Sequence, residues 1–135
     1  MAKTFNDGSK DAAFDNVSAN ANQLVLLRSA PGSYSNATTL TDNGGEKIGD
    51  VSVAGSDFSL ADSADGRKMT LAKKSVSVAA TGSDLLSAGT AHAGIVDTDN
   101  STILVLTPAS VSGGAQVDNG DTVDVGPLVV KVADP

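Results

Sequence analysis

Acidic residues supply most of the chemistry this sequence could perform. Asp97-Thr98-Asp99-Asn100-Ser101 places oxygen-bearing side chains at alternate positions, as the start of a calcium loop does. Calcium takes about six to eight oxygens, and the EF-hand loop needs Gly at its sixth position and Glu at its twelfth. Those positions hold Thr102 and Pro108. The stretch therefore reads first as a hairpin turn, where Asp and Asn bond their own backbone. Asp118, Asp121 and Asp124 around Asn119-Gly120 could share a cation, but read as solvated turn and edge residues. His92 is the only histidine, and the chain has no cysteine, so a metal site would find no second His and no thiolate. Counting alone leaves a Ser-His-Asp triad open, but no Gly-x-Ser-x-Gly elbow is present, and His92 reads as structural or interfacial. Neither Gly44-Gly45 nor Gly113-Gly114 sits in a strand-loop-helix frame followed by Lys-Ser/Thr, so neither is a phosphate loop.

The elements that must position these groups are strands. Glu occurs once, at Glu46, while Gly, Ser, Thr, Asn and Asp abound. That composition favours strands and tight turns over helices. The densest apolar stretch runs from His92 to Thr107. Two β-branched runs flank Thr98 to Ser101, which is a hairpin signal. The second run, Ile103-Leu104-Val105-Leu106, is unbroken and predicts burial on both faces. Leu24 to Leu27 predicts another buried strand within Gln23 to Ser29, ended by Pro31-Gly32. Ser33 to Thr41 reads as a loop, with Tyr34 and Leu40 as candidate anchors. Lys47 to Val53 alternates as a half-exposed strand bulged at Gly49.

Phe58 to Ala61 and Lys68 to Ala72 pair across the turn Ser63-Ala64-Asp65-Gly66. Val76 and Val78 continue the alternation. Thr81 to Thr90 is a loop carrying Leu85-Leu86, which either plugs the core or meets a neighbour. Ser112-Gly113-Gly114 opens a turn, and Asn119-Gly120 predicts a type I′ hairpin. Leu128 to Val132 closes the chain before Asp134-Pro135. One helix is expected over Asp11 to Asn22, with Phe14, Val17 and Ala21 on one face and Asp11 as its cap. Residues 1 to 10 read as a polar arm, and residues 11 to 135 as one mainly β domain. Turn signals at intervals of roughly 8–12 residues predict an antiparallel β-sandwich, or a jelly roll or barrel, with one short N-terminal helix.

Charge and composition narrow the partners. The 135 residues carry a net charge of −7, and the pI is about 4.3. Nucleic-acid binding needs clustered Lys and Arg, and the basic pairs here are only Arg67-Lys68 and Lys73-Lys74. Aromatics are scarce and Trp is absent, which argues against a stacking platform for bases or sugars. No stretch approaches the roughly 18 apolar residues of a membrane span, and Met1 to Lys10 lacks a signal-peptide pattern. The expectation is a soluble chain without cofactor, metal, nucleic acid or membrane partner.

A resemblance adds to this reading. Leu60 to Ala72 reads LADSADGRKMTLA; Ala80-Thr81-Gly82 and Thr90-Ala91-His92-Ala93-Gly94-Ile95-Val96-Asp97 follow. Ile103 to Thr107, Gly120-Asp121-Thr122-Val123, Leu128 to Val132 and Asp134-Pro135 complete the order. From about Leu24 onward this resembles a family of small β-rich proteins encoded among the structural genes of tailed bacteriophages. The chain departs from the pattern at Ser83 to Gly89, where its loop is longer. The resemblance implies a virion component made in the host bacterial cytoplasm. Its leading form is a head decoration, or cement, protein on the capsid surface. It would bind the major capsid protein and its own copies, and the arm from Ala2 to Asp11 could reach a neighbour. Phe5, Phe14, Tyr34, Leu85, Leu86 and His92 are the candidate contact residues. A tail, neck or fibre protein involved in host attachment is the alternative. An enzyme using His92 with a nearby Ser and Asp is the least favoured reading.

Overall fold

All but one of the described strands form where apolar residues recur at the strand period or run without a break. The computed structural model describes residues 7–63, 66–82, 85–86, 90–109 and 117–133. In chain order the elements are α1 (Asp7–Asn20), β1 (Gln23–Leu27), α2 (Tyr34–Thr38), β2 (Lys47–Ser52), β3 (Phe58–Ser63), β4 (Gly66–Leu71), β5 (Lys74–Val78), β6 (His92–Asp97), β7 (Thr102–Pro108), β8 (Thr122–Val125) and β9 (Leu128–Ala133). Two sheets result: a large one ordered β7-β6-β1-β2-β5-β8 and a small one ordered β3-β4-β9. All their pairings are antiparallel. Among the described residues the large sheet ends at β7 and β8 and does not close, so the fold is an open β-sandwich rather than a barrel.

The chain crosses between the sheets through short links. Ala72-Lys73 joins β4 to β5, and Gly126-Pro127 joins β8 to β9. Such links pin the sheets together at one corner. There Ala72 N–H donates to Asp57 O at 3.0 Å, and Lys74 Nζ meets Asp57 Oδ1 at 2.9 Å. The main core lies between the sheets. Leu24, Leu26, Ile48, Val76, Val123 and Val125 of the large sheet meet Leu71, Leu128 and Phe58 of the small one. Each fully buried Leu or Val contributes about 1.5–3 kcal/mol relative to exposure.

β1 is buried on both faces, as its unbroken apolar run requires. Leu24 and Leu26 face the main core. Val25 and Leu27 face outward into a second cluster with Ala37 and Val96, roofed by Tyr34 of α2. The expected bulge is present: between β1 and β2 the register slips at Leu26/Leu27, leaving Ile48 beside Gly49 unpaired. Gly49 is obligatory there, because a Cβ would lie 2.3 Å from the Ser77 carbonyl oxygen.

The fold departs from the sequence expectations in four places. Helix α1 begins at Asp7, not Asp11, so Asp11 lies inside it and is not its cap. Phe14 and Ala21 are buried and Val17 half-buried, as the helical spacing predicts. A second helix, α2, forms within the expected loop. Ser33 caps it, its Oγ accepting from Asn36 N–H at 3.1 Å, and Ala37 is buried beneath it. The unbroken apolar run of β7 predicts burial on both faces, but β7 is the edge of the large sheet and only half-buried. Asn119-Gly120 does not form a type I′ turn: only Gly120 has positive φ, at 89°, and Asp121 N–H closes the turn on Asp118 O at 3.1 Å. The arm up to Asn6 with Phe5, the turn residues Ala64-Asp65, Ser112-Gly113-Gly114 and the terminal Asp134-Pro135 lie outside the described residues.

Candidate functional site

The acidic turn Asp97 to Ser101 is built around one carboxylate. Asp97 Oδ1 accepts from the backbone N–H groups of Asp99 at 3.0 Å and Asn100 at 3.2 Å. Asn100 Nδ2 donates to Asp97 Oδ2 at 2.7 Å. Ser101 takes φ of 53°, which lets the chain enter β7. The Asn100 side chain, followed by the Asn100 and Asp99 amides, holds the Asp97 carboxyl below its ordinary value against the upward push of desolvation. The turn is tied to the α1–β1 link. Thr98 N–H donates to Asn22 Oδ1 at 3.0 Å, and Asn22 Nδ2 donates to Thr98 Oγ1 at 2.8 Å. Both oxygens of Asp97 thus cap their own turn, as an Asx turn does.

The second acidic group is dispersed. Asp121 Oδ2 accepts from Asp118 N–H at 2.8 Å within its turn. Asp124 sits on β8, accepting from Ser75 Oγ at 2.6 Å and facing Lys73 Nζ at 3.6 Å. The Ser75 hydroxyl, and then Lys73, lower its pKa. Among the described residues, no three His, Asp or Glu side chains gather closely enough to hold a metal ion.

Charged residues distant in sequence instead fasten one element to another. Arg67 of β4 forks onto Asp11 of α1, with Nε and Nη2 each 2.9 Å from a carboxylate oxygen, while Nη1 reaches Asp62 at 3.0 Å. The Arg67 hydrogen bonds lower the Asp11 pKa, and Asp11 and then Asp62 raise that of Arg67. Asp57 is lowered by Lys74 and by the Ala54 N–H that it accepts. Desolvation pushes Glu46 upward, but the Ser29 hydroxyl and Arg28 outweigh it and lower its pKa overall. These ties were not legible in the sequence, because nothing in a strand pattern announces that Arg67 will meet Asp11.

The candidate contact residues part company. Phe14, Leu85 and Leu86 are buried in the chain's own interior, so they pack the core rather than offer a surface. Leu85 is fixed there by its N–H to Val117 O at 2.8 Å. Tyr34 is half-buried as part of the roof over Val25 and Leu27. His92 is half-buried at the start of β6. Its Nδ1–H donates to Thr90 O at 2.7 Å, which turns the ring onto its own chain. A shallow polar depression of about 260 Å³ lies beside α2, lined by Ser33, Asn36, Thr39 and Gly45 among others. Asn36 is engaged there with Gly32 N–H, and its carbonyl accepts from Glu46 N–H.

The surface that sequence reasoning missed is the β7 edge. Leu106 on it is 41% exposed, and a charge-free apolar run looks the same in sequence whether central or at an edge. No described helix is long and apolar enough to cross a membrane. Comparison with known proteins finds no matching family model, no matching curated protein and no matching solved structure.

Proposed function

We propose that this chain is a structural component of a tailed-phage virion, a decoration protein that binds between major capsid subunits on the head. The observation that carries the reading is how its reactive side chains are used. Asp97, Asp11, Asp57, Glu46, Arg67 and Lys74 each fix a turn, a helix or a sheet corner of the chain itself. Such a molecule is a braced scaffold that presents surfaces. The resemblance of Leu60 to Ala72 and of the later strands to phage structural proteins points the same way.

A decoration protein acts by repetition. Symmetric lattice sites present the same contact many times, so individually weak contacts add up to firm retention. The net charge of −7 keeps the outward face solvated and disfavours phosphate backbones as partners. Cryo-EM of purified virions tests the proposal. The expected result is density fitting the two-sheet sandwich at regular positions over the head. Density only at a vertex, the neck or the tail tip overturns the decoration role in favour of attachment. A particle lacking the chain overturns both.

A further inference from the structure

We propose that the β7 edge pairs antiparallel with the β7 edge of a second copy of this chain, about a two-fold axis passing between Leu104 and Val105. The edges of the two sheets differ in charge. β8 carries Asp124, β3 carries Asp62 and β9 carries Lys131, whereas Thr102–Pro108 of β7 contains no charged residue. Charges on edge strands block pairing with other chains, and β7 has none; its remaining edge devices are the bulge at Leu104 and Pro108 at its end. Among the described residues β7 pairs only with β6, so its other side presents unpaired backbone donors and acceptors.

The occupant follows from the strand's own pattern. The β6–β7 register skips Leu104, so Leu104 and Val105 both pack toward the main core. Ile103 packs into the outer cluster with Val25 and Leu27. Leu106 lies opposite Gly94, where a Cβ would point at Val25 and Leu27, so Leu106 is on that same outer face. The order from Ile103 is therefore out, in, in, out. This pattern is symmetric about its own centre, which an isologous two-fold contact requires. Pairing about that centre sets Ile103 against Leu106 of the second copy, Leu104 against its Val105 and Thr102 against its Thr107. Apolar groups meet apolar groups and hydroxyls meet hydroxyls. The exposed Leu106 is covered, and the large sheet continues unbroken into its copy.

The absence of cysteine makes the register testable. Ile103→Cys and Leu106→Cys chains are mixed and oxidised, and sedimentation velocity follows the unmodified chain over a concentration series. The expected result is a reversible monomer–dimer equilibrium and a disulfide between the two different variants, with little from either variant alone. Leu106→Lys, at an exposed position, should keep the circular dichroism of the unmodified chain. It should weaken the dimer by roughly tenfold or more, because the pairing would bury an unpaired charge. A chain that stays monomeric throughout overturns the proposal. So does Leu106→Cys that links to itself as readily as to Ile103→Cys, or β7 amides protected only when the chain is bound to a different protein. The inference stands on β7 alone: failure to dimerise leaves the virion reading intact, and absence from a particle leaves the dimer intact.

Discussion

The two ends of the large sheet share a core and differ on the outside. At the β7 end, the outer face holds Val25, Leu27 and Val96 under Tyr34 and Ala37 of α2, and the edge strand carries no charge. At the β8 end, the outer face is polar. Lys47 Nζ bonds Asp50 at 2.7 Å, Ser75 bonds Asp124, and Ser77 is exposed. Inside, Val76, Val123 and Val125 are as well buried at the β8 end as Ala93 and Ile95 are at the β7 end. The inner face thus determines that a strand joins the sheet, while the outer face and the edge charges determine what the strand can still meet.

Substitutions on the two outer halves should break this comparison most visibly. Leu27→Ala removes a fully buried side chain and should cost about 2–5 kcal/mol. Ser77→Ala on the polar half should change stability by less than about 0.5 kcal/mol. Urea midpoints of the two variants read the difference directly. Equal losses would mean that the α2 roof contributes nothing.

Two buried glycines sharpen it. Gly49→Ala drives a methyl into the rigid Ser77 carbonyl and should cost about 3 kcal/mol, whereas Gly94→Ala meets the Val25 Cγ2 methyl at 3.0 Å and should cost about 1 kcal/mol. Thermal denaturation of both variants checks the order.

Acid should weaken both ends together. Asp97 at the β7 hairpin, Asp124 on β8, and Asp11, Asp57 and Glu46 all have pKa values lowered by folding. A lowered carboxylate adds stability above its unfolded pKa and loses it as pH falls through the folded one. Denaturation midpoints should therefore hold near neutrality and fall from about pH 5 to below pH 4. Asp97→Asn and Asp124→Asn should each flatten part of that decline. A small gain is expected at Ser101, whose φ of 53° lies in the left-handed region. Ser101→Gly relieves about 1 kcal/mol of strain and returns part of it as chain entropy, for a net gain of about 0.5 kcal/mol in urea titration.

The sequence showed most clearly what local pattern controls. Leu24 to Leu27 announces a buried strand, and Asp97 to Ser101 announces a turn, because run length and Asx chemistry are local. Ile103 to Leu106 gave the same signal as Leu24 to Leu27 and stands at an edge. Strand order depends on contacts across the chain, and the skip at Leu104 leaves no mark in an apolar run. Helix α2 was hidden because Tyr34-Ser35-Asn36-Ala37-Thr38 has poor helix formers, and the Ser33 cap and buried Ala37 hold it. Leu85 and Leu86 sit in a polar loop, where sequence alone does not separate a plug from a contact; both are buried. The Arg67–Asp11 clamp joins residues 56 apart, a distance that no local pattern spans.

Quantitative mass spectrometry of purified virions tests the central claim most directly, by counting copies of this chain against the major capsid protein. The decoration reading predicts copies on the order of hundreds per particle, in fixed ratio to the capsid subunit, as a lattice site requires. A handful of copies, or none, would contradict it.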